Sequence, residues 1–207
     1  TLGAIEIVNV KNIADFQSKD LPVLKALSDY AAIAIQNSHY CDRIYKMSVT
    51  DEYTGLYNAR FLYQYLDTII DEDPDNLRQF AITFVDIDNF KDIVDTYGHL
   101  MGSQVLREIG QTILTCMDDN DILVKYGGDE YVILFLDTDR KQAIDHVKNI
   151  LKNIRKTAYL ASEANPIQIT ASFGIAMYPD DEATAKQLLI KADQNMYSVK
   201  RSTKDGY

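Results

Sequence analysis

The chain has no tryptophan, only two cysteines and only three histidines in 207 residues. Cys41 and Cys116 lack metal-ligand spacing and are too few for a disulfide framework, so both read as reduced cysteines. His39, His99 and His146 are scattered and give no sign of a metal cluster. No apolar run approaches the roughly 20 residues of a membrane span, and no basic-plus-apolar leader opens the chain, so the expected compartment is the cytoplasm. Basic residues are short as well. Lys and Arg number 21 against 31 Asp and Glu, a net charge of −10, which argues against sequence-independent binding to nucleic acid. A local nucleotide site built from a metal and a few lysines remains compatible with that charge. No Gly-rich Walker loop is present, which disfavours a P-loop enzyme. The remaining composition, 46% apolar and 25% charged, is ordinary for a soluble domain with an attachment.

Acid, by contrast, stands at unusual places. Lys125-Tyr126-Gly127-Gly128-Asp129-Glu130-Tyr131 is a two-glycine turn between strand-forming runs. Turn chemistry favours Gly-Gly for its positive φ angles but asks nothing of Asp129 or Glu130. Phe80 to Val85 reads as a buried apolar strand, and it ends in Asp86-Ile87-Asp88, which puts a carboxylate where the strand leaves the core. Two such strand ends side by side make a divalent-metal site, because hard cations take one or two protein carboxylates plus phosphate oxygens.

Together these segments resemble the GGDEF domain, the catalytic domain of bacterial diguanylate cyclases, from about Thr50 to the C-terminus. The resemblance extends to Asp51-Glu52-Tyr53-Thr54-Gly55-Leu56-Tyr57-Asn58-Ala59-Arg60, to Phe84 through Gly102, to Ile169 through Ala176 and to Ala192 through Lys200. It implies an α+β palm-like fold of the nucleotidyl-cyclase kind, with a central mixed sheet, a β-hairpin and flanking helices. It also implies condensation of two purine nucleoside triphosphates into a 3′,5′-cyclic dinucleotide with release of pyrophosphate, dependent on Mg²⁺ or Mn²⁺. By the same resemblance Asp86, Asp129 and Glu130 ligate metal with Ile87 contributing its carbonyl. Asp129, with Glu130, carries the catalytic proton transfer. Phe90, Lys91, Lys125, Lys200 and Lys204 hold phosphates, and positions 94 and 103 meet the base.

The departures from the family pattern are specific. Val94 stands where an asparagine usually bonds guanine, and Ser103 replaces the usual aspartate that accepts from guanine's amino groups. A site that loses buried hydrogen-bond partners loses about a kcal/mol or more of discrimination per contact. Relaxed base choice is therefore expected, with ATP accepted beside GTP and cyclic AMP-GMP made beside cyclic di-GMP; the alternatives are a strict cyclic di-GMP synthase and an inactive binding module. Asp118 occupies the place of the family's inhibitory arginine, three residues before Asp121. An aspartate repels a phosphate that an arginine fork would clamp, so no inhibitory product site is expected.

The expected domain boundary falls at 48/49, with a catalytic domain over 49–207. Residues 2–10 read as a strand, and Asp20 caps a helix with Pro22 in its first turn that runs to about Ser48. This region resembles the C-terminal end of a GAF sensory domain whose remainder lies upstream, joined through a long signalling helix. A heptad-like stripe at Val23, Ala26, Tyr30, Ile33, Asn37, Tyr40, Ile44 and Met47 suits a two-stranded coiled coil and hence a homodimer with facing active sites. A parallel stripe at Leu24, Leu27, Ala31, Ala34, Ser38 and Cys41 leaves the buried face open. Downstream, the pattern predicts helices over 59–71, 103–117, 139–156 and 184–199. Strands are expected over 80–86, 121–126, 130–136 and 167–177, with helices on one face of the sheet.

Overall fold

The computed structural model describes residues 21–160, 166–202 and 204–207 and separates into two units, Thr1–Ser48 and Val49–Tyr207. The expected strand at 2–10 and the Asp20 cap lie outside the described residues. From the first unit comes α1 (Leu21–Val49), a single helix of 29 residues. Its apolar stripes are largely open: Val23, Tyr30, Ile33, Tyr40, Ile44 and Met47 are exposed on one and Leu27 on the other, where Leu24 and Ala31 are half-buried.

The second unit runs β1 (Tyr57–Asn58), α2 (Ala59–Asp71), β2 (Phe80–Ile87), α3 (Phe90–Leu114), β3 (Ile122–Gly127), β4 (Glu130–Leu136), α4 (Arg140–Lys156), β5 (Ala171–Tyr178) and α5 (Ala185–Ser202). The strands form one mixed sheet in the order β1-β3-β4-β2-β5. The β1–β3 pair is parallel and the others antiparallel. Helices cover both faces rather than one. The reason is legible in β2, whose eight residues are all buried: a strand without a solvent face needs cover on each side. Val85, Ile87, Ile133 and Phe135 pack with α3 and α4. Ile82, Phe84, Val132 and Leu134 pack with α2 and α5.

Two further boundaries differ from the sequence reading. Residues 90–97, outside the helix expected over 103–117, are helical, and Gly98 forms a kink between two helical segments with φ 80 and ψ 167. That positive φ costs glycine little. Strand β5 begins at Ala171, because Ile167 pairs with Tyr159 instead of with β2.

One glycine fixes the distance between β5 and α5. A Cβ on Gly174 of β5 would lie 2.0 Å from the Met196 backbone nitrogen and 2.2 Å from the Ala192 carbonyl oxygen. Only a residue without a side chain lets α5 lie this close, and α5 carries Lys200 to the strand ends.

Candidate active site

Strand register assembles the acids. Asp86 near the end of β2 is the direct antiparallel partner of Glu130 at the start of β4, so the two side chains share a face. Gly128 and Asp129 form the two-residue turn. Gly128 has φ 40, whereas Gly127 is already paired with Glu130 across a bulge. The N–H of Ile87 donates to the Asp129 carbonyl at 3.4 Å, tying the turn to the end of β2. The side chain of Ile87 is fully buried in the core, so only its backbone can serve the site.

Asp86 is 5% exposed, and Lys200 Nζ donates to its Oδ1 at 2.6 Å. Burial pushes the Asp86 carboxyl up, the Lys200 hydrogen bond opposes this, and neighbouring Asp129 and Asp88 add to the rise. Burial likewise raises Glu130, assisted by the charges of Asp86, Asp129 and Asp193. Burial pulls Lys200 down, but its bond to Asp86 outweighs this and holds the ammonium above its ordinary value. Three carboxylates thus meet one lysine, a surplus of negative charge that a divalent cation would neutralise. Among the described residues no group of three or more His, Cys, Asp or Glu side chains forms a metal cage. The hard oxygen donors nevertheless fit Mg²⁺, which binds through one or two carboxylates and completes its shell with water and phosphate oxygens.

Asp88, two residues on, has a different task. It is buried, and its carboxylate accepts from Thr170 Oγ1 at 2.8 Å, Ser172 Oγ at 2.8 Å and the Asp205 N–H at 3.0 Å. Phe173 N–H adds a bond to the Gly206 carbonyl at 2.8 Å. These bonds pin the segment after α5 against β5 and so place Lys204, whose Nζ donates to Asn89 Oδ1 at 2.7 Å. Asn89 stands at the N-cap of α3 in a left-handed conformation, with no cap bond from its side chain. The predicted phosphate residues Phe90 and Lys91 occupy the first turn of that helix. Lys200, Lys204 and this helix end therefore converge at one end of the strands. The sequence reading missed Asp88 and Asn89 as supports; the Thr-x-Ser spacing of 170–172, which turns both hydroxyls to one side, was the available signal.

Lys125 has other partners than a phosphate. Its Nζ donates to the carbonyls of Gly127 at 3.1 Å, Gly128 and Glu130 at 3.3 Å. Burial lowers its pKa, against the opposing charges of Asp51, Asp129 and Glu130. It braces the turn that presents Asp129.

The predicted base positions are separated by the kink at Gly98. Val94 packs on Gly102, where a Cβ would come within 3.0 Å of Val94 Cγ2, and it does not line the neighbouring cleft. Ser103 does, and its hydroxyl donates to the His99 carbonyl at 3.1 Å. The cleft, about 450 Å³, runs between the hairpin glycines, the Ser103 side of α3 and the loop before α2, with Tyr53, Arg60, Leu106 and Tyr126 in its walls. That loop is held by Asp51, which accepts from Thr54 N–H at 2.8 Å and Thr54 Oγ1 at 2.6 Å, and by Arg107, which donates to the Tyr53 carbonyl at 2.9 and 2.7 Å. Asp118 and Asp121 close a turn: the Asp121 carboxylate accepts from Asp118 N–H at 3.0 Å and Leu136 N–H at 3.2 Å.

A family profile described as diguanylate cyclase, GGDEF domain, matches residues 48–206. The chain belongs to the GGDEF family. Diguanylate cyclase A of Treponema denticola is 30% identical over 191 residues, covering 90% of this chain and 50% of that protein. The GGDEF domain of TpbB (YfiN) from Pseudomonas aeruginosa superposes with a TM-score of 0.72 at 29% identity, covering 76% of this chain and 91% of that one. The coiled coil and GGDEF domain of DgcB from Caulobacter crescentus, solved with c-di-GMP, shares the fold with a TM-score of 0.82 at 22% identity, covering 89% of this chain and 97% of that one. The chain spans half or less of the curated relatives it matches, from 23% to 50% of their length in four of them. Among the described residues no helix is long and apolar enough to cross a membrane. The mixed α+β sheet with flanking helices is the GGDEF fold.

Proposed function

We propose that this GGDEF domain is a dinucleotide cyclase that joins two purine nucleoside triphosphates, GTP and also ATP, into a 3′,5′-cyclic dinucleotide. The observation that carries this reading is the juxtaposition of Asp86, Asp129 and Glu130 with Lys200 at one end of the sheet, beside the α3 N-terminus and Lys204. Asp86, Asp129, Glu130 and the Ile87 carbonyl would hold a divalent ion, Mg²⁺ or Mn²⁺, which when bound would activate the attacking oxygen and stabilise the leaving one. Lys200, Lys204, Lys91 and the amides at Phe90 hold the triphosphate and spread its charge. Asp129 takes the proton of the 3′-hydroxyl, assisted by Glu130. A bond forms from that oxygen to the α-phosphorus of the other nucleotide, the bond to the bridging oxygen breaks and pyrophosphate departs. The same step with the roles exchanged closes the ring. Each domain holds one nucleotide, so two must face each other, and the exposed apolar stripes of α1 support a homodimer.

The side chains at the two expected base positions support the finer part of the proposal. Val94 offers no hydrogen bond, and Ser103 offers a hydroxyl already donating to His99 in place of a carboxylate acceptor. Cyclic AMP-GMP should therefore form beside cyclic di-GMP. Incubation with Mg²⁺ and GTP, ATP or an equal mixture, with products resolved by mass spectrometry, tests it. Cyclic AMP-GMP from the mixture supports relaxed choice; only cyclic di-GMP refutes it; no pyrophosphate release in any tube supports a binding-only module.

A further inference from the structure

The cleft beside Ser103 holds two cationic side chains in its walls, Arg60 and Lys125. Lys125 is committed to three backbone carbonyls. Asp51, the acid in the same walls, is committed to Thr54. Among the described residues the Arg60 side chain makes no hydrogen bond or ion pair, and the residue is exposed. The phosphate cations Lys200 and Lys204 do not line this cleft; they gather instead at Asp86 and Asn89. Ser103, one of the two expected base positions, lines this cleft, and Tyr53, Leu106 and Tyr126 offer a base an apolar and aromatic surface.

A guanidinium at the base end needs acceptors. Guanine presents two on its Hoogsteen edge, N7 and O6, matched to the guanidinium fork. Adenine presents N7 beside an amino donor and can accept one bond. Resting on the nucleotide reading above, we propose that Arg60 is the specificity residue of this site, reading the N7 edge of the purine where Val94 and Ser103 no longer read its Watson–Crick edge. Both purines are thus admitted, and guanine is favoured.

The test is calorimetric binding to the full chain with Mg²⁺, using the non-reactive α,β-methylene analogue of GTP, its 7-deaza counterpart, which lacks the N7 acceptor, and inorganic tripolyphosphate. The 7-deaza compound should bind the unaltered protein about tenfold to a hundredfold more weakly. Arg60→Ala should weaken the parent analogue by at least that factor and the 7-deaza compound, which keeps O6, by less, with tripolyphosphate unchanged; Arg60→Lys should recover part of the loss. Comparison of the two analogues on the unaltered protein needs no variant to fold. Equal weakening of both analogues and of tripolyphosphate by Arg60→Ala would make Arg60 a phosphate contact and overturn the proposal, as would no weakening at all. If the parent analogue does not bind the unaltered protein, the nucleotide reading itself falls and takes this one with it.

Discussion

Replacing Asp88 by alanine separates support of the site from chemistry in it. The carboxylate is 4% exposed and accepts from two hydroxyls and the Asp205 N–H within 3.0 Å. Hydrogen bonds to a charged acceptor are worth about 1.5–3 kcal/mol each and are not additive, because rotated hydroxyls find other partners. Leaving three buried donors without their acceptor costs about 3–5 kcal/mol in all, or roughly 6–20 °C in Tm for a domain of this size. The damage should spread in one direction. Asp205 is released, the Phe173–Gly206 bond weakens, and Lys204 loses its place against Asn89. Triphosphate affinity should therefore fall together with Tm, whereas deletion of residues 204–207 should reproduce most of the affinity loss with a smaller drop in Tm. Thermal melts by circular dichroism and nucleotide titration of both variants measure this. A Tm within about 2 °C of the parent for Asp88→Ala would refute the argument that this acid holds the fold.

Two other perturbations follow from the same geometry. Glu130→Gln should stabilise the metal-free domain at neutral pH while abolishing cyclisation. Because the carboxyl of Glu130 is raised in the folded state by burial and by Asp86, Asp129 and Asp193, its charge costs stability above its folded pKa, and that cost disappears as pH falls through it. The gain, about 0.5 kcal/mol after solvent screening, should vanish in acid melts; a constant gain at every pH would refute it. Gly174→Ala should cost at least about 1–3 kcal/mol, since its Cβ meets α5 backbone at 2.0 and 2.2 Å. It should also lower triphosphate affinity by moving Lys200 away from Asp86, so an unchanged Tm and affinity would show that α5 is not held by this contact.

The sequence alone determined the order of elements and the acids at the strand ends. Gly128 and the apolar runs of β2 and β4 act through local φ/ψ preference and period, which short-range chemistry decides. It also determined that positions 94 and 103 carry neither an amide nor a carboxylate, a statement about side-chain inventory that needs no coordinates. The tertiary structure decided what depends on neighbours far along the chain. Asp86 and Asp88 are two residues apart and alike in sequence, yet one faces Glu130 and Lys200 while the other is consumed by Thr170, Ser172 and Asp205. Lys125 and Lys200 are equally basic, yet one braces a turn and the other neutralises an acid. Register and close approach, set by the pairing of β2 with β4 and by the missing side chain at Gly174, assign those partners. Contacts at such separation leave no local periodic trace, so only the folded chain shows which carboxylates gather at the strand ends and which hold the framework.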